Sequence, residues 1–185
     1  MNSTETLPLP KAGCVPQYLE DTSTRQLILE LYDQEHVAIR RYLVFLGVSA
    51  DLAQEIVQDA FVKLHEHLLA NGDRGNLRAW LYKVARNMAR NAQSAARVTR
   101  THALDDSVRF DVRANSLSAE EELLENERTV RLRQAIKALS TAQRECLALR
   151  AQGLKYREIA EALNLSVSAV GENVQRGLEK LKEFL

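Results

Sequence analysis

Cationic side chains are concentrated in the middle of the chain, where they could neutralise the phosphates of a nucleic acid. Residues 73–100 contain seven Arg or Lys residues against one acid, although the whole chain of 185 residues has 25 cations and 25 anions. Residues 101–130 carry three cations against eight acids, and the last 55 residues have ten against six. Two basic segments separated by an acidic one predict two modules that face nucleic acid, joined by a connector of different character.

The C-terminal segment has the pattern of a helix-turn-helix. Ile159, Ala160 and Leu163 lie on one face of a short predicted helix. Asn164 interrupts that helix, and Ser166 is placed to cap the next one. The next helix is predicted to bury one apolar stripe, formed by Val167, Val170, Val174, Leu178, Leu181 and Leu185. Such a second helix can enter the major groove of DNA, but a plain helical hairpin inside an all-α domain would give the same pattern.

The composition favours an all-α protein, with seven Gly, three Pro and little alternation of β-branched residues. No apolar run approaches the roughly 18 residues of a membrane span, and the N-terminus lacks a secretory pattern, so we expect a cytoplasmic protein without membrane insertion. Two cysteines and four dispersed histidines suit neither a disulfide framework nor a metal site, and we expect no metal and no cofactor. No nucleophile-base pair or glycine-rich phosphate loop is apparent, which argues against an enzyme.

Three residue types that often carry chemistry are expected to be structural here. Cys146 falls on the inward face of a helix, where a small buried hydrophobe is expected. His65 and His67 are two residues apart, so a helix points them to different faces, and we expect both at the surface. Trp80 could be a stacking platform for a base, but its place in an apolar stripe favours the core.

Helical periodicity predicts a first domain over residues 23–97, preceded by a disordered tail over residues 1–22. Ser23 with Gln26 is a candidate capping box for its first helix, which should end at Gly47. Ser49 should cap a second helix with a clean apolar stripe, and a third helix should start near Leu77. Three helices with short connections form a compact bundle.

A second domain is predicted over residues 118–185, after a flexible linker over residues 98–117. Ser118, followed by three glutamates, should open its first helix, and Ser140 with Gln143 forms another capping-box candidate before the helix-turn-helix. The expected fold is therefore all-α, with two small helical domains on a flexible tether.

Taken together, the two domains resemble bacterial RNA polymerase sigma factors of the small extracytoplasmic-function type, over about residues 24–185. In the first domain the resemblance lies in D-L-A-Q-E-I-V-Q-D-A-F-V-K-L (51–64) and N-L-R-A-W-L-Y-K-V-A-R-N (76–87). In the second it lies in L-S-T-A-Q-R-E (139–145) and G-L-K-Y-R-E-I-A-E-A-L-N-L-S (153–166). The ordered pair is far more specific than a lone helix-turn-helix.

The resemblance implies a promoter-specificity subunit that binds core RNA polymerase, through the β′ clamp helices and the β flap, and promoter DNA. It implies a core-docking surface formed by Gln54, Glu55, Gln58 and Asp59, although an ordinary solvated helix face would look the same. The implied −10 surface combines a base-capturing loop and a basic helix, and consists of Asn71, Asp73, Arg74, Asn76, Arg78, Lys83, Arg86, Asn87 and Arg90. The implied −35 surface consists of Lys155, Tyr156, Arg157, Ser168, Ala169, Glu172, Asn173, Gln175 and Arg176.

The recognition helix departs from the family pattern, since most relatives read close to T-V-K-S-R where this chain has A-V-G-E-N (169–173). Two cations are lost, Glu172 adds an acid, and only the later Arg176 is retained. Fewer cations should weaken phosphate contacts and flatten the salt dependence of binding. This departure keeps an alternative open, a helix-turn-helix regulator or sigma-like interaction module that does not read a −35 element. The resemblance also implies an anti-sigma partner, and we expect the free chain to be less compact than the inhibited one.

Overall fold

The computed structural model describes the backbone of residues 17–99 and 130–183, and side chains over 23–95 and 130–183. The described secondary structure is helical throughout, which confirms the all-α fold. In chain order the helices are α1 (Gln17–Phe45), α2 (Ala50–Leu69), α3 (Leu77–Thr99), α4 (described over 130–138), α5 (Thr141–Ala151), α6 (Tyr156–Leu163) and α7 (Val167–Lys182). No helix in these ranges has both the length and the apolar character needed to cross a bilayer.

The first domain is a bundle of α1, α2 and α3, held by the stripe predicted for α2. Seven residues of that helix are buried, among them Val57, Phe61 and Leu64, and they face α1 and α3. Gly47 ends α1 with φ +87°, a conformation that side chains disfavour, and Ser49 caps α2 by accepting from the Leu52 amide at 3.4 Å. Each fully buried Leu or Phe contributes about 1.5–3 kcal/mol of burial free energy.

The second domain forms the helix-turn-helix as predicted. Ser140 and Gln143 make a reciprocal capping box at the start of α5. Asn164 ends α6 in the left-handed conformation at φ 57°, and the Ser166 hydroxyl caps α7 by accepting from Ala169 N at 3.1 Å. Helices α6 and α7 are thereby fixed as the two arms of the motif.

Three boundaries and faces differ from the sequence prediction. Helix α1 begins at Gln17, inside the predicted tail, and no capping box forms at Ser23 because Gln26 instead bonds Glu30 one turn later. Helix α3 continues to Thr99, two residues into the predicted linker.

The α7 stripe is narrower than predicted. Val170 and Val174 are buried as predicted, but Val167 and Leu178 are about half exposed, because the helix turns Gly177 inward in place of Leu178. The last predicted member, Leu185, lies outside the described residues. The remaining linker and the start predicted at Ser118 lie outside the described residues.

The two domains of the free chain pack directly against each other. Helix α3 lies against α6, α1 approaches α5, and one apolar cluster runs through both domains, from Ile39 to Val174. Apolar packing joins the two domains, and the polar contacts described below fix which surfaces meet. The expected difference in compactness between the free and the inhibited chain stays a prediction.

Candidate nucleic-acid interface

The predicted core-docking residues lie on the side of α2 away from its buried stripe. Glu55, Gln58 and Asp59 are exposed, and Gln54 is half-buried at the edge of the same face. Three of the four side chains are therefore open to a partner while the opposite side of the helix is fixed in the bundle. The face carries two carboxylates, which suits a basic partner surface.

The loop of residues 71–76 is held in shape by a residue that the sequence analysis placed at the surface without a role. His67 is half-buried, its ring is stacked on Trp80 at 4.8 Å, and its Nε2 lies 3.1 Å from the Asp73 carbonyl oxygen. A Cβ at Gly72 would overlap the same imidazole, so only glycine fits there without moving the ring. His65, in contrast, is exposed as expected. His67 lies near the end of α2 and Trp80 in α3, so the two rings meet across the loop. Such a contact has no local sequence signal, which is why it was missed.

Loop residues make further contacts that fix its conformation. Asn71 adopts φ 55°, and the Asp73 carboxylate accepts from the Gly75 amide at 3.0 Å. Arg74 donates to the buried Thr24 hydroxyl at 3.1 Å, which ties the loop to α1. The loop is therefore a preformed turn that leaves Asn71 and Asp73 exposed to solvent.

The predicted −10 residues of α3 fall into two groups. Lys83, Asn87 and Arg90 are exposed and remain available to a polyanion. Arg78 and Arg86 are not, because both reach across to the second domain. The helical part of the predicted −10 surface thus lies on α3, but Arg78 and Arg86 are covered by the second domain.

Arg86 makes the strongest of these cross-domain contacts. Its Nε and Nη2 donate to the two carboxylate oxygens of Glu145 at 2.9 and 2.7 Å, in a bidentate pair. The side chains are 14% and 8% exposed, and the hydrogen bonds to Glu145 raise the pKa of Arg86 despite its partial burial. The Glu145 carboxylate of α5 thus occupies both of these Arg86 donors.

Arg78 joins the two domains through a second polar cluster. Its Nη2 donates to the Gln152 carbonyl oxygen at 2.8 Å, in the turn between α5 and α6, and its Nε lies 2.7 Å from the buried Glu35 carboxylate of α1. The Tyr82 hydroxyl donates to the same carboxylate at 3.3 Å, and burial together with Glu35 raises the pKa of Tyr82. Asn76 adds a third link, since its amide donates to Glu161 of α6 at 2.7 Å while its side-chain oxygen caps α3 at Ala79 N.

Two buried groups lie beside this interdomain contact. The Tyr42 side chain is fully buried, and its pKa is raised by burial and by the negative charge of Glu145. Cys146 is fully buried as predicted. Burial, and to a smaller extent the negative charge of Glu145, raises the pKa of its thiol to about 11. Residues of α1 and α5 therefore share one desolvated region at the contact between the domains.

On the recognition helix, most of the predicted DNA-reading side chains are engaged with their own helix. Arg176 pairs with Glu172 one turn earlier at 3.1 Å, and Gln175 donates to Glu179 at the same distance. Asn173 donates to the Ala169 carbonyl oxygen at 2.8 Å. Ser168, Glu172, Gln175 and Arg176 are nevertheless exposed, so the face is open to a groove but nearly neutral.

The start of α6 presents the remaining predicted contacts. Lys155, Tyr156 and Arg157 are exposed, and Arg150 lies over the Tyr156 ring at 5.7 Å from its centre. The Lys155 amide is already bonded to the Glu158 carboxylate at 2.6 Å, so that amide is not free to hold a phosphate. Within the described ranges no three His, Cys, Asp or Glu side chains are grouped so as to hold a metal ion.

Comparison with known proteins assigns both domains. Residues 31–99 match the family described as Sigma-70 region 2, and residues 129–181 match Sigma-70, region 4. RNA polymerase sigma factor SigZ of Bacillus subtilis is 32% identical over 159 residues, covering 85% of this chain and 86% of that protein. RNA polymerase sigma factor YlaC of the same organism is 30% identical, covering 86% and 92%.

Solved structures share the fold. The sigma factor RpoE of Bartonella quintana, in complex with the anti-sigma factor NepR, has a TM-score of 0.63 at 22% identity, covering 86% of this chain and 96% of that one. CnrH, in complex with the cytosolic domain of CnrY, has a TM-score of 0.60 at 24% identity, covering 90% and 92%. The family matches and the full-length relatives lead to one conclusion: this chain belongs to the extracytoplasmic-function group of RNA polymerase sigma factors, the subunits that direct promoter-specific transcription initiation.

Proposed function

We propose that the chain initiates transcription through three surfaces used together. The acidic face of α2 docks on the β′ clamp helices of core polymerase, α3 and the loop of residues 71–76 hold the −10 strand, and α7 meets the −35 element while the second domain contacts the β flap. The observation that carries this proposal is that two surfaces of opposite charge lie side by side. Helix α2 exposes the carboxylates Glu55 and Asp59, and the neighbouring helix α3 of the same bundle exposes the cations Lys83 and Arg90. The protein acts in the cytoplasm and carries no catalytic chemistry of its own.

Lys83 and Arg90 allow the −10 role to be tested without disturbing the interdomain contact. Replacing both by alanine removes two phosphate contacts, so initiation by the reconstituted holoenzyme should fall. The slope of the logarithm of promoter affinity against the logarithm of salt concentration should also become shallower by about two units. The matched control replaces the exposed α1 cations Arg40 and Arg41. Equal transcription from the two variants in a run-off assay would contradict the proposed −10 surface.

The core-docking role is tested in the same way. Glu55→Ala with Asp59→Ala should weaken binding to core polymerase, whereas Asp33→Ala on the exposed side of α1 should leave it unchanged. A pull-down with core polymerase measures this directly and needs no promoter. Undiminished binding by the double variant would remove α2 as the docking helix.

A second candidate function is favoured by the nearly neutral recognition helix. If the Glu172–Arg176 pair persists on DNA, the second domain contributes protein contacts and not −35 recognition. Substituting the −35 sequence would then leave initiation by the holoenzyme unchanged. Binding of the free chain to duplex DNA without core polymerase would instead indicate a regulator of the helix-turn-helix type.

An anti-sigma factor is the remaining proposed partner. The two structural neighbours above were solved with such inhibitors or with a partner's cytosolic domain, which supports the expectation for this chain. Co-purification of the tagged chain from its native cells, with and without induction, tests it. Recovery of core polymerase alone under both conditions would argue against a dedicated inhibitor.

A further inference from the structure

The −10 surface and the second domain compete for the same side chains. Arg78, Arg86 and Asn76 are three of the residues proposed to hold the −10 strand, and each is bonded to an oxygen of the second domain. A guanidinium that makes a bidentate pair with a carboxylate cannot make the same pair with a phosphate. Closed packing and full −10 binding are therefore mutually exclusive.

The groups that cover α3 share one chemistry. We define the acidic face of the second domain as the carboxylates of Glu145, Glu158 and Glu161 together with the carbonyl oxygens of Gln152 and Gly153. Arg78 reaches three of these groups, with Nη1 3.4 Å from the Gly153 oxygen and 3.9 Å from the Glu158 carboxylate. All five groups present oxygens to hydrogen-bond donors of Asn76, Arg78 or Arg86, as a DNA backbone does.

We infer that the acidic face of the second domain occupies the −10 surface as an intramolecular substitute for DNA phosphates, so that the free chain inhibits itself. The inference rests on the proposed role of α3 in −10 binding. Apolar packing of α3 on α6 supplies the general attraction, and the paired charges fix which surfaces meet. Self-inhibition of this kind needs no second protein.

The cover is selective. Glu55, Gln58 and Asp59 on α2 and Ser168 and Arg176 on α7 remain exposed in the closed chain. Core polymerase can therefore dock on the closed chain first, and separation of the domains then releases Arg78 and Arg86. The order of events follows from which surfaces are covered.

The test uses three variants of the full chain that each remove one negative charge. Glu145→Gln removes the charge that pairs with Arg86, and Glu161→Gln weakens the exposed hydrogen bond from Asn76 because its acceptor becomes neutral. Glu183→Gln changes an exposed residue at the end of α7 that has no part in the contact. None of these glutamates belongs to the proposed DNA or core surfaces. Net charge is matched, so any difference among the variants reports the contact itself.

Two measurements on the free chain, without polymerase, decide the matter. Small-angle scattering should give a larger radius of gyration for Glu145→Gln than for wild type and Glu183→Gln. Fluorescence anisotropy with labelled oligodeoxythymidine should show binding about fivefold or more tighter for Glu145→Gln, and about twofold tighter for Glu161→Gln. Glu183→Gln should bind the oligonucleotide like wild type, apart from the small gain in affinity that all three variants share because each loses one negative charge.

Unchanged dimensions for Glu145→Gln would overturn self-closure, whatever the variants do in transcription. Larger dimensions without tighter DNA binding would overturn the idea that the acidic face substitutes for DNA phosphates. The Lys83 and Arg90 variants then show separately whether α3 binds the −10 strand at all. If Glu145→Gln loses helicity, Glu161→Gln decides alone, because its side chain is exposed and its loss does not threaten folding.

Discussion

Arg86 and Glu145 are 59 residues apart in the chain and meet through two parallel hydrogen bonds across the boundary between the domains. A buried ion pair adds little net stability over apolar packing, because its desolvation offsets its attraction. It does make the contact specific, since either partner left alone in that place would be an unpaired, poorly hydrated charge. The pair therefore sets the register between α3 and α5.

The contact of His67 with Trp80 and Asp73 makes this histidine a positioning residue for the loop. His67→Ala should reduce promoter opening by the holoenzyme about threefold to tenfold, since it removes one hydrogen bond and a stacked ring. Permanganate reactivity of the opened strand measures the effect, and thermal unfolding separates it from a loss of folding. His67→Phe, which keeps only the stacking, should recover part of the loss. His65→Ala is the matched control, and equal behaviour of the two alanine variants would contradict the role.

Glu172 neutralises Arg176 on the recognition helix. Glu172→Gln should free this cation for a phosphate, which tightens binding of the holoenzyme to a −35 element and steepens the salt dependence by about one unit of slope. Titration of promoter fragments over a range of salt concentrations gives both quantities. Glu183→Gln controls for the charge change. A slope that stays the same in Glu172→Gln would mean that Arg176 does not reach the DNA backbone.

Two glycines of α7 should respond oppositely to alanine. A Cβ at Gly171 would lie 3.8 Å from the Tyr156 ring, an ordinary contact, so Gly171→Ala should stabilise the chain by about 0.5–1 kcal/mol through the better helix propensity of alanine. A Cβ at Gly177 would lie 2.7 Å from Leu147 Cδ1, so Gly177→Ala should push α7 away from α5 and destabilise the chain. Denaturant unfolding compares the two. The same sign of change in both would contradict the packing of α5 against α7.

The thiol of Cys146 should be nearly inert in the folded chain. Burial raises its pKa from 9.0 to about 11, which lowers the thiolate fraction at neutral pH about a hundredfold, and the side chain is also inaccessible. Alkylation in a Cys14→Ser background should therefore be slow when folded and fast in urea. Comparable rates in the two conditions would show that the folded chain does not bury this residue.

The same shift predicts how stability changes at high pH. The folded pKa lies above the ordinary value, so the unfolded chain loses the thiol proton first, and folding stability falls as pH rises from about 9 to about 11. The raised pKa values of Tyr42 and Tyr82 extend the loss at still higher pH. Denaturant unfolding of wild type and Cys146→Ala across this pH range should show a smaller decline in the variant.

Local signals predicted most of the helices, because caps and periodicity are short-range properties. Ser49, Ser140, Asn164 and Ser166 end or begin helices as expected. The start of α1 was wrong, since Ser23 and Gln26 have a capping-box spacing that α1 simply continues through. A capping motif is permissive, and favourable residues before it can override it.

The cross-domain partners of the site could not be predicted from the sequence. Arg78 and Arg86 were expected to be free cations, and nothing in the spacing to Gln152 or Glu145 signals that they pair. His67 was missed for the same reason, because one of its contacts, Asp73, lies in the loop and the other, Trp80, lies beyond it. Residue type indicated the chemistry of each group, whereas its current partner depends on how the domains pack.

The sheltering of Arg78 and Arg86 bears on cells that contain more of this protein than polymerase. Copies without polymerase keep these two guanidinium groups paired with oxygens of the second domain, so they bind stray single strands at replication forks or in transcripts more weakly than an open chain would. The chain can thus accumulate ahead of need without sequestering unwound genome.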